Sequence, residues 1–210
     1  MSFLRNFLLL GCIAGVTVTC ASAQSDLDVF FGVGTATAPS SNSLIDTFQD
    51  GNLFSTPKMA GTFGKVGGDI LITPHFGINA ETDFRFKQGA YAGLNYRPIF
   101  YDFNGVWLPF GDRLKRVVPE LEGGLGGASI KFYYSSSYCD AFAGCSTSNQ
   151  YIESSNHFQL HMAAGVRFYV THHIFIRPQI DAHWVNNFYQ FGSNWVPEYG
   201  ASVGWSFVSH

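Results

Sequence analysis

Apolar side chains fall on every second residue in eight stretches of this chain, and the cleanest runs over 174–184. There Ile174, Ile176, Pro178, Ile180, Ala182 and Trp184 alternate with Phe175, Arg177, Gln179, Asp181 and His183. A period of two belongs to an extended strand with one apolar and one polar face. The same alternation predicts strands over 27–35, 63–73, 76–87, 90–107, 117–134, 157–170 and 196–208. Connections after the second, fourth and sixth strands are short, at Pro74-His75, Gly111-Asp112 and Thr171-His172-His173, whereas those after the first and fifth are long. An even strand number with tight turns at one end and longer loops at the other predicts an all-β fold, an eight-stranded antiparallel up-and-down transmembrane β-barrel. Pro98, Pro119 and Pro178 lie inside these strands and are expected at bulges or kinks, because proline cannot donate to a ladder.

Alternation alone does not say which face looks outward. A soluble lipocalin-like barrel that binds a ligand would turn its apolar face inward, around a pocket. The polar face here mixes acids, bases and small residues, as a narrow lumen filled by side chains requires, and the apolar face carries aromatics near both strand ends, such as Phe158 with Phe168 and Tyr199 with Phe207. Inward placement collects Asp28, Asp69, Glu81, Asp83, Glu120, Glu122, Asp181 and Glu198 beside Arg85, Lys87, Arg97, Arg167 and Arg177. Charges removed from bulk water have to be paired or hydrated. A lumen ion-pair network of Glu120, Glu122, Arg167, Arg177 and Asp181 is therefore expected, with Gly124 and Gly126 leaving room for the larger side chains opposite. On the fourth strand, Leu94, Tyr96, Pro98 and Phe100 are read as the apolar face and Asn95, Arg97, Ile99 and Tyr101 as the other.

The N-terminus sets the compartment. Arg5, an apolar run over 7–18 too short to span a bilayer, and the small residues Ala21-Ser22-Ala23 predict a signal peptide at 1–23, cleaved before Gln24. Cleavage leaves a barrel domain at 24–210, of 187 residues. It takes one of the twelve basic residues and no acid, leaving 11 bases against 15 acids and a net charge of −4. An acidic chain of this kind has no basic patch to offer a nucleic acid. Charged residues make up 13% and aromatics 17%, and a charge content about half the usual ~25% is too low to coat a water-facing exterior. Cys139 and Cys145 remain after cleavage, in a Ser-, Asn- and Gly-rich segment, and are expected to form a loop disulfide in an oxidising compartment.

The run Gly165-Val166-Arg167-Phe168-Tyr169-Val170, passing through His172-His173 into Phe175-Ile176-Arg177-Pro178, and the C-terminal aromatic alternation resemble the small OmpA-like, porin-family outer-membrane barrels. The resemblance covers Gln24 to the C-terminus and is best over the last three strands. It implies a bacterial outer-membrane protein, embedded in outer-membrane lipids, with a side-chain-filled or narrow lumen, no cofactor and a non-enzymatic structural or surface-contact role. Trp205-x-Phe207 looks like the terminal aromatic signal read by the barrel assembly machinery, although Val208-Ser209-His210 extends past it. The rival class is a lipid A deacylase-like enzyme of the outer leaflet, for which Glu153, Ser154, Ser155 and His157 supply candidate groups. Nucleophilic catalysis needs a serine within hydrogen-bond reach of a base that a third group orients. His157, His161 and His183 could form a metal cluster, but are read instead as hydrogen-bonded histidines, with no metal expected.

Overall fold

A computed structural model describes residues 26–37, 44–46, 50–111, 116–140, 144–188 and 191–207. The expected signal peptide lies outside the described residues. Eight strands make up the ring, in chain order: β1 (Asp26–Ala36), β2 (Gly61–Leu71), β3 (Phe76–Arg85), β4 (Leu94–Trp107), β5 (Val117–Asp140), β6 (Gly144–Tyr169), β7 (Ile174–Val185) and β8 (Trp195–Phe207). Each pairs antiparallel with its sequence neighbours, and β1 pairs with β8, so the sheet closes on itself and leaves no open edge around the ring. Closure matters in lipid, where an unpaired backbone N–H or C=O costs several kcal/mol. Among the described residues no helix is long and apolar enough to cross a membrane.

The apolar stripes face outward. Val29, Phe31 and Val33 on β1, Val66 and Ile70 on β2, Leu121 and Leu125 on β5, Phe158, Leu160 and Met162 on β6, and Ile176 and Ile180 on β7 are all exposed, with Phe31 and Phe103 at 69%. Phe76, Trp107, Phe168, Trp205 and Phe207 form an exposed aromatic row toward the end that carries the short turns. The lipocalin-like arrangement, with its oily face turned in, is reversed.

Two apolar plugs close the interior. At the short-turn end Leu71, Val106, Leu108 and Val118 pack together with Tyr169. At the opposite end a larger cluster contains Phe63, Tyr96, Phe100 and Val185 from the strands, Met59 from the β1–β2 connection, and Phe188 and Phe191 from the β7–β8 connection. The β1–β2 connection is thus more than a polar loop. Arg85 donates to the carbonyls of Lys58 (3.4 Å) and Ala60 (2.7 Å), and the Tyr96 hydroxyl donates to Lys58, which ties this connection over the mouth.

Four expectations change. The face assignment of the fourth strand is reversed: Tyr96 and Phe100 are buried, and Tyr101 and Phe103 face outward. That strand is also shorter than 90–107, because Ala92 and Gly93 adopt positive φ (50° and 80°) and turn Gly89–Tyr91 back onto its beginning. Two consecutive positive φ values are the requirement of a tight hairpin turn. The prolines cause no bulge. Pro98 and Pro119 sit past one end of a ladder, and at Pro178 the β6–β7 ladder skips Arg177 and Pro178 and resumes in unchanged register.

The long connection expected after the fifth strand is itself a ladder. β5 and β6 continue pairing as far as Asp140↔Gly144, and Cys139 is opposite and disulfide-bonded to Cys145. The register shifts at Phe132/Tyr133, where Ile152 on β6 is the extra residue. Beyond it the hairpin leaves the barrel, since the β4–β5 ladder ends at Asn95↔Tyr133. A bulge bends the strand that carries it and increases the twist. At roughly 3.4 Å per residue, the seven residues of β5 past that point project about 20–25 Å.

Candidate functional site

Between the two plugs lies a buried polar layer. Ten carboxylates are buried among the described residues, those of Asp26, Asp28, Asp69, Glu81, Asp83, Asp102, Glu120, Glu122, Asp181 and Glu198, together with three fixed cations, Lys65, Arg167 and Arg177. Every second residue of a closed ring of strands points to its axis, so groups far apart in sequence meet there.

Arg167 on β6 is the hub. Nε donates to Glu120 (2.5 Å), Nη1 to Asp28 (2.6 Å) and Nη2 to Asp69 (2.9 Å), so three carboxylates from three strands divide one guanidinium fork. Arg177 on β7 takes Glu122 at 3.1 Å, Glu120 at 3.3 Å, Asp69 at 3.6 Å and Glu81 at 3.7 Å. Each guanidinium also lies over an aromatic ring, Arg167 over Phe175 at 5.3 Å and Arg177 over Phe30 at 3.8 Å. A planar, always-charged group with five donors suits a buried position that has several acceptors around it.

Glu120, Glu122, Arg167 and Arg177 therefore stand in contact, and Asp181 belongs to a neighbouring cluster. It lies 3.0 Å from Lys65 Nζ and accepts from His161 Nε2 at 3.2 Å and from the Gln179 amide at 2.5 Å. Lys65 also reaches Glu81 (3.4 Å) and Asp83 (3.6 Å), and Glu81 links the two clusters through Arg177. Sequence reasoning passed over Lys65, although it shares parity with Asp69 on the same strand. Conversely, Lys87 is exposed and Arg97, on the outer parity of β4, donates to the Phe86 carbonyl at 3.5 Å. Neither enters the polar layer.

A chain of amides continues it. Asn79 donates to Asp69 (2.5 Å), Asn104 to Asn79 (3.0 Å), and Asn104 Oδ1 faces His161 Nδ1 at 3.0 Å. Gln159 donates to Asp102 (2.5 Å) and lies 3.4 Å from His183 Nδ1. His183 is sandwiched between Phe100 (ring centroids 4.8 Å) and His161 (4.7 Å).

The candidate nucleophile group separates. Ser155 Oγ, not that of Ser154, lies 2.8 Å from His157 Nε2, and His157 Nδ1 faces the Asn186 backbone carbonyl at 3.0 Å. The ring packs edge-on against Phe188 at the rim of the larger plug. His157 is thus apart from His161 and His183.

A closed ring of eight antiparallel strands with an apolar exterior and a charged, sealed interior is the architecture of the small OmpA-like outer-membrane barrels. Solved structures to which this chain is similar include OprG from Pseudomonas aeruginosa (TM-score 0.55, 12% identity over 89% of this chain and 98% of that one) and neisserial surface protein A, NspA (0.54, 14%, 88% and 98%). A third is Ail, the attachment invasion locus protein of Yersinia pestis, solved in complex with the heparin analogue sucrose octasulfate (0.51, 12%, 88% and 99%). At such identities the likeness is one of fold. No protein-family model and no curated protein matches the sequence.

Proposed function

We propose that this chain is exported by a signal peptide at 1–23, is folded into the bacterial outer membrane by the barrel assembly machinery, and acts there without catalysis, as a surface-contact protein. The likeness to outer-membrane barrels and the lipid-compatible exterior support the location. Trp205 and Phe207, exposed on the last strand, are the residues offered to the assembly machinery. Plugs at both ends argue against a solute pore.

The observation that carries the contact role is the disulfide-closed β5–β6 hairpin. Its exposed surface offers Tyr134, Tyr138, Tyr151 and Ile152 among serines. Ser136 and Ser148 hydroxyls meet at 2.9 Å, Asn95 of β4 donates to Ser135 at 2.7 Å, and Tyr133 and Tyr151 pack edge-on, so the ladder is braced by side chains as well as backbone. Tyrosines supply contact area at low entropic cost. Replacing residues 135–149 by an Asn-Gly turn is expected to leave a folded barrel, seen as heat-modifiable gel migration, while attachment of cells bearing the variant to host-cell or matrix surfaces falls at least about tenfold, roughly 1.4 kcal/mol. Attachment equal to that of the unaltered protein would refute the contact role.

The Ser155–His157 hydrogen bond supports a second reading, a hydrolase of outer-leaflet lipid. A backbone carbonyl orients the ring on the Nδ1 side and gives less help to a developing imidazolium than a carboxylate would. Lipid A acyl chains are expected to be the same in cells carrying the wild type, Ser155→Ala or His157→Ala. Deacylation by the wild type that either substitution removes would establish the enzyme instead.

A further inference from the structure

Three residues from three strands, Asp83 on β3, His183 on β7 and Glu198 on β8, converge beneath the larger plug with one ligand-capable atom from each within 4.8 Å of the others. All three are 0% exposed. Among the described residues neither oxygen of Glu198, neither oxygen of Asp83 and not Nε2 of His183 has a hydrogen-bond partner. Lys65 approaches Asp83 to 3.6 Å, longer than a charge-assisted hydrogen bond. Buried polar atoms of native proteins almost always have partners, and unpartnered atoms on all three residues of one convergent group mark a place where something else binds.

Neighbouring groups differ in this respect. Glu81, His161 and Asp181 also come within 4.8 Å of one another, but both ring nitrogens of His161 are taken by Asn104 and Asp181, and Lys65 holds Asp181 and Glu81. The all-carboxylate group Glu81, Asp83 and Asp102 offers no nitrogen, and Lys65 lies against two of its members; among the described residues, of the groups that include a histidine, the Asp83–His183–Glu198 group alone has an atom without a hydrogen bond on every member. It is also preorganised. Stacking between Phe100 and His161 fixes the His183 ring, and Gly34 leaves room for Glu198, since a Cβ there would sit 2.9 Å from Oε1.

We propose that Asp83, His183 and Glu198 bind one divalent first-row transition ion inside the barrel. One imidazole nitrogen with two carboxylates is a mixed N/O donor set, which suits zinc or manganese better than the oxygen-seeking magnesium or calcium. Two positive charges would also offset part of the excess of ten buried carboxylates over three fixed cations. Because plugs cover both ends, the ion is taken up as the barrel folds.

The test refolds the full chain from urea into detergent with Zn2+ or with EDTA, separates folded protein by gel filtration, and measures zinc per chain by mass spectrometry. Wild type folded with zinc is expected to keep about one equivalent, and Glu198→Gln and Asp83→Asn, each confirmed as folded by heat-modifiable migration, to keep at least about tenfold less. Wild type that holds no zinc, or folded variants that hold as much as wild type, overturns the proposal. Should neither variant fold, X-ray absorption of the wild-type zinc decides: one imidazole with carboxylate oxygens supports the site, and a shell of two or more imidazoles overturns it.

Discussion

Arg167→Met is expected to destabilise the barrel by about 3–5 kcal/mol, the usual result of breaking a buried ionic group by removing one partner. The methionine keeps much of the side-chain volume, so the loss is electrostatic. Asp28, Asp69 and Glu120, all buried, lose the fork that each of them contacts within 2.9 Å. Arg177 cannot take over. It already lies near Glu120 and Asp69, and no contact places it by Asp28. Urea unfolding of the refolded protein in micelles or bilayers reads the effect, and adding Glu120→Gln to the Arg167→Met background should recover part of it by removing one stranded charge. A single variant within about 1 kcal/mol of wild type, the range of a solvated surface pair, would mean that water rather than Arg167 satisfies these carboxylates.

The second large effect is steric. A Cβ built at Gly126 would sit 1.9 Å from the backbone oxygen of Tyr101, and one at Gly124 would sit 2.1 Å from that of Phe103. Neither obstacle is the flexible end of a side chain, so β4 and β5 would have to part. Gly126→Leu is expected to cost about 3 kcal/mol or more, the upper range for overpacking, and to deplete the heat-modifiable folded band. Gly123 on the same strand is the matched control, since nothing lies within 4 Å of its added Cβ. Gly123→Ala should fold like wild type. Equal folding of Gly126→Leu and Gly123→Ala would show that the close approach of β4 and β5 does not limit assembly.

The run of glycines that weakens β5 as a strand by propensity is what lets its neighbour draw near. That tension shows what period-two alternation can and cannot convey. On β6 and β7 the two faces differ sharply, and residues such as Phe168 and Arg167, or Ile176 and Arg177, announce their sides. On β4 both faces carry aromatics, and Tyr96 and Phe100 are apolar because they plug the lumen, not because they meet lipid. Asp102 and Asn104, of the same parity as Phe100, carried the missing signal. The protruding part of β5–β6 was illegible for another reason: water lies on both faces, so serines, asparagines and tyrosines follow with no alternation at all, and the composition reads as a loop. Within the polar layer the meeting of Glu120, Glu122, Arg167 and Arg177 followed from strand adjacency. The association of Lys65 with Asp181 did not, because β2 and β7 are not neighbours and meet only across the lumen.

The covalent clasp between Cys139 and Cys145 has a mechanical consequence. A partner that grips one strand near the tip, for instance at Tyr138, pulls on both, because the tension crosses to the other strand through a bond rather than through hydrogen bonds that peel apart one at a time. The load then runs down two parallel tethers to the rim, where each strand is flanked by further barrel neighbours. Tugging from outside is resisted by the whole cylinder, which lies in a membrane that it cannot leave without exposing its oily wall to water.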